Sequence, residues 1–309
     1  MSGIEKMKAQ NSLRARGSSP LFVRGRWLRA TETWRSLRVA AWLGWQIESN
    51  WTDPFLFAIY SVVKPVAGAL ILVFMYLVVA RGGLGNPLFP FVFVGNAVYI
   101  YVGAVLMGLS WAVIDDREHY GMLKYMYAAP LNVYAYLVGR GVAQTAVATV
   151  SAGITLLVGV GLLGVRITPA TVNWGLLVLS LALGLGMMAC LGILLGGASL
   201  LLAWHNFRLG EAVAGSLYFL SGVVFPLDVL PQGVQMLSRA LPTTYWLEAM
   251  RRALLGSGGN ATLAGFCDLG ILGILGLCAL GALVVSVAFF RWAEGLARRR
   301  GLLDMQTMH

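Results

Sequence analysis

The chain has 309 residues, of which 58% are hydrophobic and only 12% are charged, and its formal net charge is +10. Soluble domains usually carry about 25% charged residues, so this composition excludes a soluble globular fold for most of the chain. The charges also leave uncharged runs that are long enough to cross a bilayer. We predict an all-α membrane protein, because lipid offers no partner for unpaired backbone groups.

The first 50 residues are basic and rich in tryptophan, and they lack the pattern of a signal peptide. We predict a flexible basic tail over residues 1–26 and an amphipathic helix in the cytoplasmic membrane interface over residues 27–51. A soluble helix packed on a polar domain is the alternative. The apolar positions that recur at steps of three and four are Trp27, Ala30, Trp34, Leu37, Ala41 and Trp45.

Six apolar runs follow, and they predict six transmembrane helices in a single domain over residues 27–292, with a cytoplasmic tail over residues 293–309. Glycines within the runs, such as Gly192 and Gly196, predict close helix packing. The fifth run is the shortest. The runs cover residues 54–80, 88–114, 134–163, 174–203, 209–225 and 269–290.

The distribution of Lys and Arg predicts the orientation of these spans. An even number of spans places both termini on one side, and that side carries seventeen of the 23 Lys and Arg residues against five on the other. Because positive residues stay in the cytoplasm, we predict cytoplasmic termini in a plasma or inner membrane. The same positive charge suits anionic lipid headgroups. The sequence contains no folded basic domain that would indicate nucleic-acid binding.

The segment between the fifth and sixth runs, residues 226–268, is semi-apolar and broken by prolines and glycines. We predict two short re-entrant helices there, the second capped by Thr243 or Thr244. Glu248 and Arg252 are four residues apart on that helix. They form either the charge pair of an outer gate or an ordinary surface pair.

No group of residues suggests catalysis. The three histidines are dispersed, the three cysteines have neither metal-site nor disulfide spacing, and the chain contains no GxxxxGK[ST] phosphate loop. We predict no catalytic residue, no metal site and no cofactor bound by this chain. Two polar residues within spans could face a transport pathway. Lys64 could instead extend to the interface, and Asn96 could instead bond a neighbouring helix.

Two motifs together resemble the membrane subunits of type-2 ABC exporters. The first contains Asp115, Asp116, Arg117, Glu118, His119, Tyr120, Gly121 and Leu123, and it closes with Ala129-Pro130 after the second span. The second contains Ser221, Gly222, Phe225 and Pro226, followed by Pro242, Glu248 and Arg251. One residue departs from the family pattern, because Met122 stands where threonine is usual.

The resemblance implies a permease subunit that works with two copies of a separate ABC ATP-binding subunit, which bind ATP and Mg. It implies a second permease copy, forming a homodimer. It further implies that the first motif is the coupling helix, which contacts the ATPase, and that the second motif closes the outer exit. Few ionisable residues lie in the spans, so we expect an amphiphilic, drug-like or lipid-linked substrate to be exported. An ATP-independent channel or secondary carrier, and an assembly or anchor protein without transport, are the alternatives.

Overall fold

A computed structural model describes residues 21–50, 54–80, 88–122, 126, 133–201, 206–256, 263 and 265–300 of the chain. These residues are helical apart from turns and short connections. The nine helices of the described part are α1 (Leu21–Asn50), α2 (Pro54–Ala80), α3 (Leu88–Glu118), α4 (Val133–Gly161), α5 (Trp174–Leu201), α6 (Asn206–Leu220), α7 (Gln232–Ala240), α8 (Pro242–Leu255) and α9 (Asp268–Arg299).

Four of these helices are long and apolar enough to cross a membrane: α3, α4, α5 and α9. The helices of the first and fifth predicted spans, α2 and α6, contain shorter apolar stretches at Val63–Met75 and Leu209–Leu220. The predicted all-helical fold is therefore confirmed, and four of its helices are candidate membrane spans. The count of six, like the re-entrant depth of α7 and α8, stays a prediction.

Several predicted boundaries differ from the structure. Helix α1 begins at Leu21, so residues 21–26, which were assigned to the flexible tail, are helical, while residues 1–20 lie outside the described part. Helix α6 ends at Leu220, before the predicted end of its run. Helix α9 continues to Arg299, beyond the predicted start of the tail. Apolar runs locate the spans but do not mark where a polar helix end continues beyond the lipid.

Helix α5 packs against α3 through the small residues noted in the sequence. A Cβ atom on Gly192 would lie 2.9 Å from the Leu109 Cβ atom, and one on Gly196 would lie 2.8 Å from Val113 Cγ2. Helices α8 and α9 also pack against α5. The glycines therefore allow the close backbone approach that van der Waals packing in lipid requires.

Helix α1 packs along α4 at a second pair of glycines. A Cβ atom on Gly139 would lie 2.6 Å from the Leu37 carbonyl oxygen, and one on Gly44 would lie 3.0 Å from Ala143 Cβ. The packed face of α1 thus centres on Ala40 and Gly44, which are buried, and not on the tryptophans. Small residues stand at this contact for a steric reason, because indole rings are too large for a backbone approach this close. The tryptophans whose side chains the structure describes lie on the exposed side of α1, and their location in the membrane interface stays a prediction.

Candidate functional site

Two polar clusters occupy opposite ends of α3. The first is the Asp115 turn, defined as Asp115–Met122, where the helix ends at Glu118. Gly121 has a φ of 57°, and the Met122 amide donates to the Asp116 carbonyl oxygen at 2.8 Å. A left-handed residue at this point ends the helix, and glycine adopts it without the cost that a Cβ atom would add.

Arg117 joins the Asp115 turn to α5. Its Nη1 donates to the Ser199 carbonyl oxygen at 3.1 Å, and its Nε donates to Glu118 Oε1 at 2.9 Å. The Ser199 carbonyl belongs to the last turn of α5, where carbonyl groups lack helical partners and a cation is favourable. The Arg117 and Glu118 side chains are each only 3% exposed. Arg117 therefore fixes the end of α3 to the end of α5.

Asp116 joins the same turn to α4. Its carboxylate is buried and interacts electrostatically with Tyr136 and Arg140, both of which are buried as well. A cavity of about 10 Å³ lies between Asp116, Tyr136 and the buried Met126. The Asp115 turn is consequently held against both neighbouring helices.

The structure separates the predicted coupling residues into two groups. Asp116, Arg117 and Glu118 direct their side chains inward, and Asp115 is half-buried. His119 and Tyr120 are exposed, with their rings in edge-to-face contact at 4.9 Å between centroids. Leu123 and Pro130 lie outside the described residues. A partner could reach the two aromatic side chains but not the buried charges.

The second cluster, the Arg251 cluster, consists of Phe91, Gly95, Gly222, Val223 and Arg251. The Arg251 Nε donates to the Phe91 carbonyl oxygen at 3.1 Å, and its Nη2 donates to the carbonyl oxygens of Gly222 at 2.8 Å and Val223 at 3.2 Å. Its guanidinium also lies 3.5 Å from the centroid of the Phe91 ring. A single buried cation thus holds the start of α3 to the turn that follows α6.

The turn after α6 has the conformation that the second motif requires. Gly222 has a φ of 70°, which explains why α6 ends at Leu220 although its apolar run continues. The buried Ser221 hydroxyl hydrogen-bonds the Thr243 hydroxyl at the start of α8. Phe225 is half-exposed, and Pro226 precedes a short 3-10 turn at Leu227–Val229. The two halves of the motif are therefore in direct contact.

The capping prediction for α8 is wrong. Its N-cap residue is Leu241 without a side-chain cap, and Pro242 occupies the first helical position. The hydroxyls of Thr243 and Thr244 instead bond residues outside α8. Thr243 pairs with the Ser221 hydroxyl, and Thr244 donates to the Ser238 carbonyl oxygen at 2.7 Å. Proline suits that first position because its missing N–H would have had no helical partner.

Arg252 connects α8 to the start of α9. Its Nε donates to Glu248 Oε1 at 3.1 Å, and its Nη1 donates to Asp268 Oδ1 at 3.0 Å. Its guanidinium also bonds the carbonyl oxygens of Leu263 and Phe266, each at 2.8 Å. Glu248 is 2% exposed. The predicted pair of Glu248 and Arg252 is present, and its burial sets it apart from an ordinary surface pair.

The two polar residues of the predicted pathway occupy different surroundings. Lys64 is exposed on α2, directly before Pro65. Asn96 on α3 accepts a hydrogen bond from the Tyr218 hydroxyl on α6 at 3.4 Å. The geometry at Asn96 favours the interhelical hydrogen bond over a ligand contact.

Two packing partners of the sites were not recognised in the sequence. Trp246 on α8 is fully buried. Its ring packs directly on Gly184 of α5, so closely that a Cβ atom added to Gly184 would lie 2.1 Å from the ring. A Cβ atom on Gly95 would lie 2.2 Å from Arg251 Nη2. The sequence offers one indication of such a contact, a glycine inside an apolar run. A glycine predicts that a neighbour packs closely, but it does not identify which side chain that neighbour is.

The Arg251 cluster joins the two halves of the second motif, and the Asp115 turn is formed by the first motif at the other end of α3. The family model described as ABC-2 type transporter matches residues 38–255. The chain belongs to the ABC-2 type transporter family. It is the permease component of an ABC transporter, a multi-pass membrane subunit of a kind that is generally not itself catalytic. No curated protein matches the chain closely. The matched range includes both clusters of the permease and ends before α9.

Proposed function

We propose that this permease exports an amphiphilic, drug-like or lipid-linked substrate, driven by a separate ATPase that contacts the Asp115 turn. The functional unit is two permease copies with two ATP-binding subunits, and ATP and Mg bind in those subunits. The proposal rests chiefly on one observation. The exposed His119–Tyr120 pair sits on a turn whose buried charges join three helices.

This arrangement suits mechanical coupling. A force applied to Tyr120 reaches α3 directly, α5 through the Arg117 bond to Ser199, and α4 through Asp116. Packed helices shift as rigid bodies and do not deform continuously. Movement of the ATPase would therefore tilt these helices together. The displacement would extend along α3 to the Arg251 cluster at its other end.

The Arg251 cluster supports a role at the exit. Arg251 and Arg252 together bond five carbonyl oxygens and two carboxylates. These bonds join α8 to α3, to the turn after α6 and to the start of α9. A relative shift of α3 and α6 would strain bonds that converge on Arg251. Opening of the exit would then require α8 to move with its neighbours.

The substrate class follows from the character of the helices. Several polar side chains in the bundle bond the protein itself. Asn96 accepts from Tyr218 of another helix, and Thr155 and Ser199 donate to carbonyl oxygens of their own helices. In the described part of the chain, no group of three or more His, Cys, Asp or Glu residues could hold a metal ion. Helices whose polar side chains bond the protein itself suit a substrate that already partitions into lipid.

Site-specific photo-crosslinking tests the ATPase contact. A benzophenone amino acid replaces Tyr120, which is 44% exposed, and the matched control carries it at Trp174, which is 57% exposed at the start of α5. We expect Tyr120 to crosslink an ABC-type ATPase in native membranes and Trp174 to give no such product. Equal crosslinking at both positions, or none at Tyr120, would refute the contact.

A reconstitution experiment separates the proposal from an ATP-independent carrier. The permease is placed in liposomes with and without its ATPase, and a fluorescent amphiphile is followed. Transport that requires both ATPase and ATP supports the proposal. Transport by the permease alone would establish the carrier alternative.

A further inference from the structure

A groove of about 790 Å³ runs between α1 and α4, and none of its lining residues belongs to the Asp115 turn or to the Arg251 cluster. Its size falls within the range of small-molecule sites, roughly 300–1,000 Å³. The lining combines two arginines with two tryptophans and a floor of small apolar residues. We call it the Arg35–Arg38 groove; its lining residues are Arg35, Arg38, Val39, Ala41, Trp42, Trp45, Val142, Ala143 and Ala146.

The groove exists because of how α1 meets α4. The two backbones approach most closely at Gly139 and Gly44, as described above. Larger side chains flank that crossing, so the helices are held apart beside it. Val142 and Ala146 of α4 stay exposed at the open side, and Trp42 is 64% exposed. The space is thus a consequence of the crossing and is lined by apolar surface.

Charge in the groove is of one sign. Arg35 and Arg38 are exposed, one turn apart on α1. Among the residues with described side chains, neither forms an ion pair. The carboxylate of Glu48, further along α1, accepts a hydrogen bond from Gln144 Nε2 and does not line the groove. Two guanidinium groups beside an apolar floor complement a molecule with an anionic head and an alkyl body.

The surroundings indicate where such a molecule comes from. Trp42 and Trp45 follow the arginines along α1, and tryptophan side chains favour the headgroup depth of a bilayer. Basic pockets between membrane helices bind anionic lipid headgroups, and guanidinium groups match phosphate geometry. We propose that the Arg35–Arg38 groove binds an anionic phospholipid, with its phosphate at the two arginines and an acyl chain along Val142 and Ala146.

This site would act independently of the proposed transport cycle. Bound lipid would fill the space beside the α1–α4 crossing and keep α1 in place against the helix that carries Arg140. Occupancy then depends on the lipid composition of the membrane and not on ATP or on the exported molecule.

The test is native mass spectrometry of the full-length permease in detergent, titrated with phosphatidylglycerol or phosphatidylcholine of identical acyl chains. Arginines near an anionic surface contribute about 1 kcal/mol each, so Arg35→Gln with Arg38→Gln should weaken phosphatidylglycerol binding about 30-fold. Binding of phosphatidylcholine should not change. A double variant with Arg166→Gln and Arg239→Gln removes the same charge from exposed positions elsewhere and should bind as the unaltered protein does.

Two further variants protect the test against misfolding. Arg35→Lys with Arg38→Lys keeps both charges and should retain most of the preference. Ala146→Trp fills the exposed floor without changing charge and should reduce phosphatidylglycerol binding. The proposal fails if the glutamine pair binds phosphatidylglycerol within threefold of the unaltered protein. It also fails if the unaltered protein binds both lipids equally, which would indicate only general contact with lipid tails.

Discussion

Replacement of Gly184 by alanine should destabilise the permease by forcing α8 away from α5. The added Cβ atom would lie 2.1 Å from Cε2 and Nε1 of the Trp246 ring, and the tryptophan is fully buried. The ring cannot retreat within a filled space, so the backbone has to shift. Overpacking of this kind costs about 1–3 kcal/mol.

The chain supplies a matched control two residues further along the same helix. A Cβ atom on Gly186 would meet no atom within 4 Å. Both Gly→Ala changes gain the same helix propensity, about 1 kcal/mol. The difference in unfolding free energy between Gly184→Ala and Gly186→Ala therefore isolates the packing term, and we expect it to be about 1–3 kcal/mol.

Equilibrium unfolding in mixed micelles, followed by circular dichroism during titration with a denaturing detergent, measures this difference. A second variant checks the cause. Trp246→Phe removes part of the ring, and the indole Nε1 has no hydrogen-bond partner among the described residues. In the Gly184→Ala background it should restore stability, with a coupling of about 1 kcal/mol. Equal stability of the two glycine variants, within 0.5 kcal/mol, would refute the reasoning.

Three other changes test the two clusters by the same unfolding measurement. Arg251→Lys should cost about 2–3 kcal/mol, because an ammonium group is a point donor and cannot reach Phe91 and the Gly222–Val223 turn at once as the guanidinium fork does. Arg239→Lys at an exposed position should stay within about 0.5 kcal/mol; equal effects would contradict the bonding role. Gly121→Ala should cost about 1–2 kcal/mol, because its φ of 57° is strained for other residues, and an unchanged midpoint would argue against that conformation. Arg117→Gln breaks a buried pair and should cost about 3–5 kcal/mol, while Arg298→Gln, whose side chain is 54% exposed, should cost less than about 1 kcal/mol; similar losses would show that burial is not decisive.

The Asp115 turn shows how far pattern reading extends. The position of a charged segment after an apolar run follows from composition, since charges are excluded from lipid. Which charges face outward does not follow, because it depends on the neighbouring helices. Arg117 turns inward because the last carbonyl groups of α5 lie within reach. The exposed Tyr120, and not a buried charge, is therefore the position at which contact with the ATPase is tested.

The Arg251 cluster shows the same division at the other end of α3. The sequence contained both halves of the motif, and glycine with proline after an apolar run indicated a turn there. It could not show that Arg251 bonds Gly222, because residues 29 positions apart along the chain carry no local signal of contact. Burial decides the matter, since a cation removed from water must find acceptors nearby.

The sequence by itself determined that most of the chain lies in lipid, that its fold is helical, and to which family it belongs. Hydropathy and charge are sums over local residues, and lipid permits few backbone structures. Tertiary structure decided which glycines have a neighbouring side chain packed against them, which charges are buried, and where α1 leaves a groove beside α4. Those outcomes depend on distances between separate helices, and such distances arise only when the helices pack.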